Sequence, residues 1–179
     1  MDDNPYSVGE QLSFDDTNLQ GPEFEGAVRG MQTISIALMI GVLIYLGIVM
    51  RTIGGQLLGR PNLLTIIGVV FACLMVVVHF IVPGIMCKRQ LKEAVASGVM
   101  QKSEQEQVGH VIGVFRGQMI VGLALLEGAA FINLTAMMID HSEISIFVIV
   151  LLMGLMLFRF PTRDKVSYWV QDKLRELCL

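Results

Sequence analysis

The sequence predicts an all-α integral membrane protein with four transmembrane helices in two antiparallel hairpins and a C-terminal amphipathic helix. Three observations predict this fold: four long apolar runs, a low content of charged residues, and basic residues gathered in alternate connections. Charged residues make up 16% and hydrophobic residues 54% of the 179 residues, and the mean hydropathy is +0.64. Soluble domains carry about 25% charged residues. Four such runs would leave a soluble chain too little polar surface.

The four predicted spans cover about residues 33–50, 63–87, 113–139 and 143–160. A helix needs about 20 apolar residues to cross the hydrocarbon core, so the first three runs are long enough and the fourth is short. None of the runs alternates at period two, which disfavours membrane strands. The link at residues 140–143 is so short that the third and fourth helices must be antiparallel neighbours. Together these runs define a transmembrane domain over residues 31–160.

The first 30 residues differ in composition from the rest of the chain. They contain seven acidic residues and one basic residue, Arg29, together with prolines and glycines. This composition predicts an acidic, disordered cytoplasmic tail. The segment lacks the basic start and short apolar run of a signal peptide, so we expect the first span to act as an uncleaved targeting signal.

The second connection predicts helical extensions on both sides. Residues 88–96 contain good helix formers that continue the second helix into water, and Ser103 is a predicted N-cap of the third helix. Residues 161–179 show apolar positions at helical spacing, which predicts an amphipathic helix. This helix either lies in the membrane interface, with Tyr168 and Trp169 as anchors, or packs on the second connection.

The basic residues predict the orientation. Eleven of the 13 lysines and arginines belong to the tail, the second connection and the C-terminal segment, whereas Arg51 and Arg60 lie on the other side. The positive-inside rule therefore predicts that both termini are cytoplasmic, and we expect the inner (cytoplasmic) membrane of a bacterium. The net charge of −3 argues against a nucleic-acid partner. The expected partner is the lipid bilayer.

Glu127 is the most informative single residue because it lies near the middle of the third span. A charge at that depth costs at least about 2.5–3.5 kcal/mol, so the carboxylate must be neutral, paired or hydrated. A stripe of small residues falls within about 100° of Glu127 on the helix and would let another backbone approach. We therefore predict that Glu127 points into a helix–helix contact and that the third helix mediates homo- or hetero-oligomerisation. The stripe consists of Gly113, Gly117, Ala124 and Gly128.

Three other polar residues complete the candidate intramembrane site. His79 falls at a depth similar to that of Glu127, and either pairs with it or binds a backbone carbonyl freed by Pro83. Arg116 either extends to the headgroups or forms one wall of a polar inlet towards Glu127. Asn133 is expected to make an interhelical hydrogen bond.

The sequence contains no motif that indicates catalysis. Cys73, Cys87 and Cys178 form no CxxC or Cys/His pattern, so we expect reduced thiols, no metal site and no cofactor. No nucleotide-binding loop or nucleophile–base pair is visible, so an enzyme is not expected.

The stretch from Arg116 to Ala129 reads Arg-Gly-Gln-Met-Ile-Val-Gly-Leu-Ala-Leu-Leu-Glu-Gly-Ala. It resembles the carboxylate-bearing helix of the rotary ATP synthase proteolipids, and the resemblance covers one helix of the chain. It implies that Glu127 binds and releases a proton. Two functions therefore stay open: a structural or regulatory membrane subunit, and a proton- or ion-linked transport component.

Overall fold

The chain forms five α-helices in a computed structural model that describes residues 21–54, 59–98, 101 and 103–177. Within these ranges there is no strand, only an isolated bridge between Gly59 and Ser142. Three helices are long and apolar enough to cross a membrane, and the last two form a pair bent by 64°. The predicted all-α membrane fold is therefore confirmed. The helices are α1 (Pro22–Thr52), α2 (Leu63–Ala96), α3 (Glu104–Asp140), α4 (Glu143–Phe158) and α5 (Arg163–Leu177).

Helix α1 begins earlier than the sequence predicts. The tail was expected to run to residue 30, but residues 22–30 are helical. Pro22 occupies the start of the helix, where its missing N–H is not needed, and Glu23 and Glu25 interact favourably with the helix dipole in the first turn. Residues 1–20 of the predicted tail lie outside the described residues.

Helices α2 and α3 both extend beyond the apolar runs, as predicted. Helix α2 continues through Pro83 to Ala96 over 34 residues. Helix α3 begins directly after Ser103, but the Ser103 hydroxyl donates to the carboxylate of Glu106 at 3.2 Å instead of capping a backbone N–H.

Helix α3 is the centre of the bundle because it packs against each of the other four helices. Its fully buried leucines, Leu123, Leu126 and Leu134, form the core with residues of the surrounding helices. The outward faces of α1, α2 and α4 expose large apolar side chains, such as Ile44, which is 60% exposed. A continuous apolar outer surface of this kind is what acyl chains require.

The predicted α3–α4 hairpin is present. His141 ends α3 with a left-handed conformation (φ 52°), and α4 begins two residues later. Helix α4 has 16 residues, which span about 24 Å at 1.5 Å per residue. It ends at Phe158, two residues before the predicted end of the fourth span.

Helix α5 packs against α3 and α1. Val166, Val170 and Leu174 are fully buried, and the Trp169 ring lies 5.0 Å from the Phe115 ring of α3. Trp169 is therefore held by an aromatic contact within the chain. Tyr168, the other predicted anchor, is 75% exposed.

Candidate functional site

Glu127 lies on α3 where that helix crosses α1. A Cβ atom added to Gly41 of α1 would be 3.4 Å from Oε1 of Glu127, so the missing side chain leaves room for the carboxylate. Glu127 is partly exposed, and no hydrogen bond or ion pair joins it to any residue that the structure describes. The carboxylate thus reaches the α1–α3 seam without a polar partner there.

Other polar groups lie along the same seam, towards both ends of the helices. The buried Ser35 hydroxyl of α1 donates to its own helix. The Thr135 hydroxyl donates to the Phe131 carbonyl at 2.9 Å, so the Tyr45 hydroxyl is the donor in the 3.2 Å bond to Thr135. Gly41, which faces Glu127, lies between Ser35 and Tyr45 along α1. The α1–α3 seam therefore carries polar side chains at three successive levels.

The stripe of small residues beside Glu127 is not covered by the chain itself. Gly113, Ala124 and Gly128 are exposed, and Gly117 is partly exposed. A Cβ atom at any of the three glycines would meet no atom within 4 Å. The helix contact of Glu127 is made with α1, and the four stripe residues form what we call the open face of α3.

His79 contacts neither of the two partners considered from the sequence. It is 1% exposed, and its Nδ1 lies 2.7 Å from the carbonyl oxygen of Gly122 on α3. Because a carbonyl only accepts, Nδ1 carries the proton. The Gly122 carbonyl can accept this bond because a backbone carbonyl has two lone pairs. The sequence indicates only Glu127 and the carbonyl freed by Pro83 as partners of His79, since any helical carbonyl could serve in this way.

Arg159 joins His79 at this point and was not predicted as a site residue. A Cβ atom at Gly122 would be 2.9 Å from Nη1 of Arg159 and 3.3 Å from Nδ1 of His79. The guanidinium carbon also lies 5.9 Å from the centre of the Phe80 ring, a cation–π distance. No carboxylate of the described residues pairs with Arg159. In the sequence, Arg159 serves only as one of the basic residues that predict orientation, because its proximity to Gly122 and Phe80 arises from contacts between distant segments.

Asn133 makes an interhelical hydrogen bond of the predicted kind. It is fully buried, and its side-chain amide donates to the Gly68 carbonyl of α2 at 3.0 Å and to the Ala129 carbonyl of α3 at 2.9 Å. Arg116, in contrast, is exposed and forms no ion pair with a described residue. The structure therefore does not bring the four predicted residues together. Each of Glu127, His79 and Asn133 has a different neighbour, and Arg116 has no ionic partner among the described residues.

The described residues contain no group of three or more His, Cys, Asp or Glu side chains that could hold a metal ion. Cys73 and Cys87 are free thiols, and Cys178 lies outside the described residues. No family model, no curated protein and no solved structure matches this chain.

Proposed function

We propose that this chain is a non-enzymatic structural or regulatory membrane subunit that binds another transmembrane helix through the open face of α3. The observation that carries the proposal is the position of Glu127 beside this uncovered stripe. The carboxylate has no polar partner among the described residues, and the neighbouring surface consists of glycine and alanine.

Two features of a bilayer favour a partner on this surface. Lipid tails are as apolar as leucine, so transmembrane helices associate through close packing of small residues and interhelical hydrogen bonds. An unpaired carboxylate in hydrocarbon raises the free energy of the protein, and a hydrogen-bond donor on a neighbouring helix would offset part of this increase. The open face supplies the packing surface and Glu127 supplies the acceptor.

A bulky residue in the open face tests the proposal. Gly128→Leu would place a large side chain where a partner helix should lie, and it should not disturb the monomer because nothing lies within 4 Å of a Cβ atom there. Gly154→Leu on α4 is the matched control, since Gly154 is also exposed and has equally open surroundings. The measurement is the mass of the complex extracted from native membranes in lipid nanodiscs.

We expect the native protein and the Gly154→Leu variant to run as the same complex, larger than the 19.8 kDa chain. The Gly128→Leu variant should run as the monomer. A monomeric native protein, or a Gly128→Leu variant with the native mass, would refute the proposal.

The polar groups of the α1–α3 seam favour a second candidate, a proton- or ion-linked transport component that uses Glu127. Protonatable and hydroxyl side chains at successive levels are typical of a proton relay within a membrane. The local resemblance to the ATP synthase proteolipids is in keeping with this role. Glu127→Gln should then abolish proton-coupled flux into proteoliposomes, whereas a purely structural subunit would keep its assembly in this variant.

We also propose that both termini lie in the cytoplasm, in the inner membrane of a bacterium. The start of α1 and the start of α3 are adjacent, since Gln105 donates to Glu23 at 3.1 Å, and Arg163 of α5 lies 3.6 Å from Glu25. The end of the bundle that they share carries most of the basic residues, which supports the orientation. Protease protection of tags at the two termini in sealed vesicles would test it.

A further inference from the structure

A cleft lies between the first turns of α1 and α3, at the end of the bundle where both helices begin. Its volume is about 430 Å³, and residues from Gly21 to Ala27 and from Gln105 to Arg116 line it. These segments precede the apolar run of α1 and overlap only the beginning of that of α3. The cleft therefore lies at the end of the predicted spans, where we expect the lipid headgroups.

The cleft carries one charge of each sign, at different depths. Glu23 stands at the outer end, where the Gln105 amide donates to its carboxylate at 3.1 Å. Arg116 stands eleven residues further along α3, towards the membrane, and no described carboxylate pairs with it. Gln105, the partner of Glu23, and Arg116 are thus about 16 Å apart along α3. The Arg116 guanidinium comes closer to Glu23 than this when its side chain extends towards water.

The remaining walls are apolar or open. Ala27 of α1 and Ile112 of α3 contribute apolar surface, and Gly109 contributes no side chain at all. A Cβ atom at Gly109 would meet nothing within 4 Å, so there is room for a larger side chain there. The site thus combines a deeper cation, an outer anion and an apolar wall.

We propose that this cleft binds the headgroup of a zwitterionic phospholipid that carries a primary ammonium, of the phosphatidylethanolamine class. In such a lipid the phosphate lies on the acyl-chain side and the ammonium lies further out, which matches the order of Arg116 and Glu23. An arginine is well suited to the phosphate, and a carboxylate accepts hydrogen bonds from the ammonium.

The same arrangement discriminates against two other abundant headgroups. Phosphatidylglycerol offers Arg116 a phosphate but brings no cation to Glu23. Phosphatidylcholine brings a cation, but its quaternary ammonium has no N–H to donate to the carboxylate. A lipid with both groups is therefore favoured.

Native mass spectrometry of the full chain in detergent, with each of these three lipids added in turn, tests the proposal. We expect phosphatidylethanolamine to bind about fivefold more tightly than the other two, which corresponds to about 1 kcal/mol for one headgroup contact. Arg116→Gln should weaken the binding of all three lipids. Glu23→Gln should abolish the preference for phosphatidylethanolamine over phosphatidylglycerol.

The controls use residues of the same type outside the cleft. Arg51→Gln removes an exposed arginine at the opposite end, and Gly47→Leu adds a side chain at a glycine with open surroundings. Both should bind lipid like the native protein, whereas Gly109→Leu should fill the cleft and prevent binding. Thermal unfolding of each variant shows whether it is folded.

Equal binding of the three lipids would refute the proposal, as would unchanged binding in a folded Arg116→Gln variant. Loss of binding in the Arg51→Gln control would also refute it, because the effect would then be a general response to charge. The cleft shares only Gly113 with the open face of α3, and none of these variants changes Gly113. The lipid site and the proposed helix partner are therefore tested by different substitutions.

Discussion

Asp140, the last residue of α3, caps the first turn of α2. Its Oδ2 accepts hydrogen bonds from both the backbone N–H and the hydroxyl of Thr65, each at 2.8 Å. The residue that precedes α2, Asn62, makes no side-chain capping bond. A carboxylate from a neighbouring helix therefore satisfies a backbone donor that the local sequence leaves free, and its negative charge lies at the positive end of the α2 dipole.

We predict that Asp140→Ala lowers the free energy of unfolding by about 1–3 kcal/mol, because a buried N–H and a buried hydroxyl lose their acceptor. Asp140→Asn should lose less, since its carbonyl oxygen still accepts. The measurement is chemical unfolding in detergent micelles. Glu143→Gln, at an exposed acid three residues away, is the control, and a loss of equal size there would contradict the prediction.

Gly59, in the connection between α1 and α2, contacts the link between α3 and α4. Its N–H donates to the His141 carbonyl at 3.1 Å, and an added Cβ atom would overlap the Asp140 carbonyl oxygen. We predict that Gly59→Ala is destabilising by about 1–3 kcal/mol, as overpacking usually is. Gly47→Ala in α1 meets nothing within 4 Å and should be neutral or stabilising by up to about 1 kcal/mol. Equal melting temperatures for the two variants would show that Gly59 is not confined.

These contacts show how far the sequence determines the fold. Hydrophobic runs predict where helices α1 to α4 cross, because the period and length of apolar residues are local properties. The hydrogen bonds from Thr65 to Asp140 and from Gly59 to His141 join segments that are distant in the sequence, and no local pattern predicts them. The start of α1 was predicted too late for a related reason: acidic composition suggested disorder, whereas Pro22 and the first-turn acids favour a helix.

The candidate site likewise contains residues that the sequence predicts and partners that it does not predict. Glu127 and Asn133 could be selected because polar side chains inside an apolar run are conspicuous in a single sequence. The partners of Glu127 and His79 could not be selected, since Gly41 and Gly122 contribute only space or a backbone oxygen. Arg159 was overlooked because it follows α4, where a basic residue is ordinary.

Asn133 and Gly68 set the distance between α2 and α3. A Cβ atom at Gly68 would be 3.0 Å from Oδ1 of Asn133, so the two helices are as close as a glycine allows. We predict that Asn133→Ala lowers the free energy of unfolding by about 0.6 kcal/mol, the average for interhelical hydrogen bonds in a membrane protein, and by no more than about 1.7 kcal/mol, the largest such value. Gly68→Ile should cost more, because it forces the helices apart.

The double variant, Asn133→Ala with Gly68→Ile, provides the control for this pair. Truncation of the Asn133 side chain leaves room at Gly68, so the combined loss should be smaller than the sum of the two single losses. Additive losses would mean that Gly68 and Asn133 do not act on the same contact.

Helix α5 should remain attached to the bundle through its apolar face. Leu174 is fully buried, so Leu174→Ala should weaken docking by about 2–5 kcal/mol. Trp169, the only tryptophan in the chain, packs on Phe115 and reports the attachment through its fluorescence. Tyr168→Ala removes an exposed side chain and should leave the fluorescence and the protease resistance of α5 unchanged. A shift of equal size in both variants would indicate that α5 is held by the lipid interface instead.

The helical structure of α5 should also respond to alkaline pH through Lys173, because its partners Asp172 and Glu176 lie on α5 itself. The hydrogen bond from its ammonium to Glu176, at 2.7 Å, is the main reason that the pKa of Lys173 is raised. A raised pKa in the folded state means that the contribution is complete below the unfolded pKa of about 10.4 and is lost as the pH rises through the folded value. Because Glu176 is more than half exposed, the contribution should be below about 1 kcal/mol.

We therefore expect Trp169 fluorescence to be constant from neutral pH to about pH 9 and the helical structure of α5 to be lost more readily above about pH 10.5, past the ordinary lysine pKa. Lys173→Met cannot lose a proton, so the difference in α5 stability between this variant and the native protein should disappear at the alkaline end. A difference that is constant across the titration would show that the Lys173 ammonium contributes nothing to the stability of the α5 helix. Trp169 is suited to this measurement because its ring lies one turn before Lys173 on the same helix.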